Sequence, residues 1–295
     1  MQRMDSPSGE KSIIVQEFLI AFLDVLGQRG ELRDLLTVPT NEEELTRTTA
    51  TLKRTLGFVT MVRDSFRILF TQYNEPSQFA KSLPDRERML LKELCRSEIS
   101  FYGFSDSFVV AIPLGTQDDH CTQINGVYAA LLAACWIQFV CLFREHALRG
   151  GIDVGVGVQL EGGEVYGAAL ERAYTLESEV ADYPRVAVGN ELIRYLEYVR
   201  DEPATTDPGR VARLTAARCL RFITEDTDGR PILDFLGDAF REASSSIVTP
   251  DMIKKTFKFV TNECDRWAAS GNTKLASRYE RLREYFEAHK IQWGL

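Results

Sequence analysis

The stretch YGFSDSFVVAIP, Tyr102 to Pro113, runs as two strand-like segments that meet at Ser105 and Asp106. Alternating runs that meet at turn-forming residues read as antiparallel strands joined by a tight hairpin. Ser and Asp bond their own backbone readily, so Asp106 has an ordinary place in such a turn. It also sets a carboxylate at the hairpin tip, and its meaning depends on what lies beside it.

Upstream, EFLIAFLDVLGQRGEL, Glu17 to Leu32, begins as a near-continuous apolar run that reaches Asp24 and is followed by Gly27 and Gly30. Such a run is a buried central strand, here delivering a carboxylate at its C-terminal end. Leu45, Leu52, Leu56, Val59, Val62, Phe66 and Phe70 fall on one helical face and predict a helix from Glu42 to about Tyr73. A second short helix is predicted in DRERMLLKELCR, after Pro84.

Downstream of the hairpin, the apolar segment from about His120 to Leu148 predicts a buried helix. RGGIDVGVGVQLEGGEVYG predicts a strand pair around a Gly-Gly turn at Gly162 and Gly163, AALERAYTLESEVA a helix, and YPRVAVG a short strand. Gly151, Gly155 and Gly157 inside a strand mark the close approach of another backbone or a ligand. Helices interleaved with a mostly antiparallel sheet indicate an α+β fold with helices packed on the sheet. After Asn190 follow a helix in ELIRYLEYVRDE, a turn-rich PATTDPG, a hairpin around RFITEDTDGRPILDFLG and two final helices. The last has Leu275, Tyr279, Leu282, Tyr285 and Phe286 on one face, suited to docking on the preceding domain or on a second subunit. The expected division is a flexible N-terminus over 1–15, a main domain over 16–190 and an α-rich extension over 191–295.

Hydrophobic residues at 44% and charged residues at 26% are ordinary globular values. The opening MQRMDSPSGEKS lacks the apolar core of a secretory signal, and Gly126 to Phe143 is short for a membrane span, so a cytoplasmic chain without membrane insertion is expected. Cys95, Cys121, Cys135, Cys141, Cys219 and Cys264 contain no CxxC pair and suit a reducing compartment. His120, His146 and His289 have no zinc-site spacing. A net charge of −8 disfavours nucleic acid as a partner but allows a small Arg-lined phosphate pocket.

Asp24 at a strand end and Asp106 at a hairpin tip, on strands that the element order makes plausible neighbours, form a pair able to hold divalent metal over a phosphate. Mg²⁺ takes a couple of carboxylates and leaves its other positions to water and phosphate oxygens. Two such ions can activate an attacking hydroxyl and steady a leaving group. The VLGQRG loop adds backbone amides at Gly27 and the charge of Arg29, as a phosphate cradle needs.

The ordered set FLDVLGQ, FSDSFVVAIP, RGGIDVGVG and GEVYGAALERAYTLE resembles the catalytic domain of class III nucleotide cyclases, over Glu17 to about Gly189. The resemblance implies a ferredoxin-like, palm-type sheet, two Mn²⁺ or Mg²⁺ ions, Asp24 and Asp106 as their ligands, and a metal contact from the Val25 carbonyl. The base-reading Lys of purine cyclases falls on Tyr102 and the acidic base reader on Glu164. The transition-state Asn falls on Glu171, and the Arg after it on Thr175. Arg29, Arg149 and Arg172 are the candidates, by location, to replace that Arg. GAALERAYTLE and YPRVAVG are similar to patterns in the Pycsar pyrimidine cyclases of bacterial antiphage defence.

That similarity implies a lyase converting UTP to 3′,5′-cyclic UMP and pyrophosphate, with CTP next as substrate. It also implies a homodimer with shared sites and a separate cyclic-nucleotide-responsive effector. The ring of Tyr102 would fill space that a purine occupies. Glu164 would accept a proton from uracil N3 or from the cytosine amine, so it does not separate the two pyrimidines. A purine cyclase is a further alternative, and a non-catalytic nucleotide-sensing module is the reading from another class.

Overall fold

The computed structural model describes residues 14–35, 37–74, 97–115, 120–160 and 164–294. The helix expected after Pro84, the Gly162–Gly163 turn and nearly all of the expected flexible N-terminus lie outside these residues.

The fold is α+β, with a mixed, mostly antiparallel open sheet. Its centre is β1 (Val15–Leu26), flanked antiparallel by β3 (Ser107–Gly115) and by β4 (Ala147–Gln159). β2 (Ser100–Phe104) pairs with β3 across the expected hairpin, with Ser105 and Asp106 at its turn. On the other side β6 (Val186–Val188) runs parallel to β4, and β8 (Pro231–Leu233) and then β7 (Ile223–Glu225) continue the sheet. The short β5 (Val165–Tyr166) pairs with the far end of β4. Strands drawn from beyond residue 190 therefore share one sheet with β1.

Period-two alternation divides β1 between the two faces of this sheet. Leu19, Ala21, Leu23 and Val25 enter the larger core, with α2 (Glu42–Asn74) and α3 (His120–Phe143). Phe18, Ile20 and Phe22 point the other way, onto Ala169 and Ala173 of α4 (Ala168–Thr175). Asp24, two residues beyond Phe22, belongs to that second alternation. The glycines of β4 admit the backbone of α4: a Cβ at Gly151 would stand 2.2 Å from the Ala173 carbonyl oxygen, and one at Gly155 3.0 Å from the Ala169 backbone.

Three expectations are corrected. The helix expected to reach Leu148 ends at Phe143, because Glu145 takes φ +63° and β4 begins at Ala147. Only Arg144, Glu145 and His146 separate the buried helix from the buried strand. On α2 the expected apolar face is buried only at Val59, Val62, Phe66 and Phe70, while Leu45, Leu52 and Leu56 stay exposed. The core thus meets only the second half of the helix. PATTDPG, taken as turn, leads into α6 (Asp207–Leu220), the helix after α5 (Asn190–Asp201). Thr206 caps it by accepting from the Gly209 amide at 3.2 Å, and Pro208 sits in the first turn, where a missing N–H costs nothing.

The segment Gln123–Phe143 of α3 is long and apolar enough to cross a membrane, with mean hydropathy 2.0, yet 83% of it is buried inside the protein. It packs against α2, α6 and α8 (Pro250–Ala269). α7 (Asp238–Ser244), also absent from the sequence reading, precedes α8. The final helix α9 (Thr273–His289) buries Leu282, Tyr285 and Phe286 in the same core. Of the two docking options for that helix, this chain fills the first. Cys135, Cys141, Cys219 and Cys264 are free buried thiols.

Candidate functional site

The register between β1 and β3 places Asp24 opposite Ser107, one residue from the hairpin tip. The Ser107 hydroxyl donates to Asp24 Oδ1 at 2.7 Å, and the Val25 amide donates to the Asp106 carbonyl at 3.2 Å. Two carboxylate-bearing residues 82 positions apart in sequence thus lie side by side at the C-terminal end of the central strand. Both are partly exposed, whereas the Val25 side chain is buried and only its backbone is on offer. Ser105 takes φ +52°, the left-handed conformation that lets the chain reverse within the turn.

The tip is also fastened from α2. Arg63 Nη2 donates to the carbonyls of Ser105 at 2.9 Å and of Ser107 at 2.7 Å, which flank Asp106. Burial draws the Arg63 pKa down, and the charge of Asp106 acts against that shift. No sequence pattern had marked Arg63. The available signal was a charged residue on the apolar stripe of α2, between Val59 and Phe66.

On the other side of β1, Arg149 lies opposite Asp24. Its Nε stands 3.6 Å from Asp24 Oδ2 and 2.5 Å from Glu177 Oε1. Glu177 belongs to the single π-helical turn Leu176–Val180 that continues α4, and its side chain is only 4% exposed. An arginine expected near phosphate is therefore seated between two carboxylates. Glu177 closes the GAALERAYTLE motif, but no role was read for it there, and its exposed-looking ESE context hides a buried position.

The remaining expected residues separate into near and far. Gly27 takes φ +94° at the turn from β1 into α1 (Gln28–Leu32), directly after the site; the side chain of Arg29 lies outside the described residues. Tyr102 pairs with Val109, itself opposite Phe22, and packs half-buried against the small cluster around Phe18, Ile20 and Phe22. On α4, Glu171 is exposed and Thr175 half-buried. Arg172 pairs with Asp153 at 3.8 Å and Glu191 at 3.5 Å. Asp153 is itself buried and accepts from the Leu192 amide at 2.9 Å; burial raises its pKa, and its two backbone hydrogen bonds oppose the rise.

Glu164 is exposed at the opposite end of the sheet. Its neighbour Val165 pairs with Gln159, ten positions along β4 from Arg149, about 33 Å at strand rise. Within one chain the structure gathers Asp24, Val25, Asp106 and Arg149, and leaves Glu164 remote.

Among the described residues no cluster of three or more His, Cys, Asp and Glu side chains could hold a metal ion. The donors at the end of β1 are two carboxylates and backbone carbonyls. Hard oxygen donors with room left for water and phosphate fit Mg²⁺ or Mn²⁺, and do not fit a soft-ligand or imidazole metal. Comparison of the chain with protein-family models, with curated proteins and with solved structures found no match.

Proposed function

We propose that this chain is a divalent-metal-dependent nucleotide cyclase that converts a pyrimidine nucleoside triphosphate, UTP ahead of CTP, into the 3′,5′-cyclic nucleotide and pyrophosphate. The observation that carries the reading is the juxtaposition of Asp24 and Asp106 on neighbouring strand ends. Bound Mn²⁺ or Mg²⁺ would neutralise triphosphate charge and favour ionisation of the attacking hydroxyl. Asp24 and Asp106, with the Val25 carbonyl, are the groups that would hold it. In the reaction the ribose 3′-oxygen bonds to the α-phosphorus, the bond from that phosphorus to the bridging oxygen breaks, and pyrophosphate leaves. The hydroxyl proton passes to solvent.

The chain's own residues supply position and charge. Ser107 fixes the Asp24 carboxylate through Oδ1, and Arg149, anchored by Glu177, brings a cation to the place where the triphosphate would lie. Glu164, remote in its own chain, supports a head-to-tail homodimer in which a second copy brings the base-reading residues to this site. The cyclic product would serve a separate effector, in the manner of the antiphage systems that the sequence resembles.

A second reading has an observation of its own. Arg149 already faces Asp24, and Glu171 and Thr175 stand where a cyclase has Asn and Arg, which favours a module that binds a nucleotide without turning it over. One experiment separates the two: incubation with each of the four ribonucleoside triphosphates and Mn²⁺, with products identified by mass. Cyclic UMP or cyclic CMP with pyrophosphate is expected. A bound triphosphate that stays intact would establish the sensing module.

A further inference from the structure

We propose that Arg63 is the positioning residue for Asp106, setting the hairpin tip so that its carboxylate and that of Asp24 converge on one cation. The proposal rests on the cyclase reading of that pair.

Three observations carry it. First, a single guanidinium nitrogen donates to the carbonyls on both sides of Asp106, so the backbone at Asp106 cannot turn without breaking one of those bonds. The bond from the Val25 amide to the Asp106 carbonyl then fixes the same residue against β1. Second, the hairpin is shaped around this side chain. A Cβ at Gly103 would stand 2.4 Å from Arg63 Cζ and within 2.7 Å of both Nη atoms, so that only glycine leaves the guanidinium its seat.

Third, Arg63 stands half-buried on α2, in helical register with the buried Val59 and Phe66, and its burial acts against the charge. Its buried Nε has no hydrogen-bond partner among the described residues, while Nη2 makes both bonds to the tip. A helix that only needed to pack on the sheet would place an aliphatic residue here. Instead the charge is spent on the two peptide groups that aim Asp106.

The test is Mn²⁺ binding to the full chain without nucleotide, followed by electron paramagnetic resonance, with the far-ultraviolet dichroism of each variant as a check on folding. Asp106→Ala removes a group that would hold the ion and Arg63→Ala the residue that positions it, and each is expected to weaken binding about tenfold or more. Arg63→Lys, which keeps a donor and a charge, is expected to recover part of the loss. Gly103→Ala keeps Arg63 but fills its seat, and is expected to weaken binding as Arg63→Ala does. The Arg63→Ala, Gly103→Ala double variant is expected to be no weaker than Arg63→Ala alone, because both changes break one arrangement.

Mn²⁺ binding that is indifferent to Asp106→Ala would overturn the cyclase reading of the carboxylate pair, and this role with it. Binding weakened by Asp106→Ala but unchanged in Arg63→Ala and Gly103→Ala would overturn the positioning role alone. If Arg63→Ala does not fold, Gly103→Ala decides by the same criterion.

Discussion

At the end of β1 and at the junction with the C-terminal helices, the protein brings Asp and Arg side chains together in opposite ways. At the junction, Arg185, with a side chain only 3% exposed, binds Asp226 and donates to Asp228 and to the Val180 carbonyl, each of the latter at 2.7 Å. Arg281 of α9 reaches Asp228 at 2.8 Å, and the Tyr183 hydroxyl donates to Asp226 at 2.7 Å. Hydrogen bonds from Arg185 hold the Asp228 carboxyl well below the usual carboxylate range. At the end of β1, by contrast, Asp24 is oriented by a hydroxyl and faces its arginine at 3.6 Å, while the bonds that place Asp106 fall on backbone groups. Carboxylates closed off by guanidinium serve stability. At the end of β1 the guanidinium stands farther off, with Arg149 3.6 Å from Asp24 where Arg185 is 2.7 Å from Asp228.

The contrast predicts unequal costs. Arg185→Ala, which strands Asp226 in the interior, is expected to destabilise the protein by about 3–5 kcal/mol in chemical denaturation. Ser107→Ala removes a single hydrogen bond at a partly open carboxylate and is expected to cost about 1 kcal/mol. A Ser107→Ala cost as large as that of Arg185→Ala would break the distinction.

The smallest effect concerns a third polar cluster, beside the junction. His289 Nε2 lies 2.9 Å from Asp234 Oδ1, which also accepts from the Tyr285 hydroxyl at 2.7 Å. Burial alone would lower the His289 pKa, but the hydrogen bond and charge of Asp234 and the bond to the Tyr285 carbonyl outweigh it and raise the value. A raised histidine pKa contributes stability that is complete below about pH 6.5 and is lost as pH rises through the folded-state value. Wild type is therefore expected to lose more stability between pH 6 and pH 9 than His289→Gln does, read from denaturation midpoints at the two ends. Equal losses would remove His289 from the account.

Elements with one dominant signal were legible in the sequence. The apolar run ending at Asp24 and the turn at Ser105 and Asp106 lie where they were read, and of the two readings of the β4 glycines Gly151 and Gly155 take the approach of another backbone. What was hidden was contextual. Pro208 reads as a turn until Thr206 is seen capping a helix, and the His120–Leu148 run conceals the change from helix to strand at Glu145. Arg63 carries no motif and Glu177 ends one that gave it no role, because their importance lies in partners 42 or more and 28 positions away, Ser105 with Ser107 and Arg149. Of the carried-over site residues, the structure gathers those on β1, at the turn between β2 and β3 and on β4, while Glu164 lies at the far end of the sheet.

The most direct measurement repeats the four-triphosphate incubation with wild type, Asp24→Ala and Asp106→Ala side by side, following pyrophosphate release and product mass with Mn²⁺ present. A two-carboxylate cyclase gives a cyclic pyrimidine nucleotide from wild type and a loss of several powers of ten in both variants. Undiminished release of pyrophosphate by either variant would contradict it.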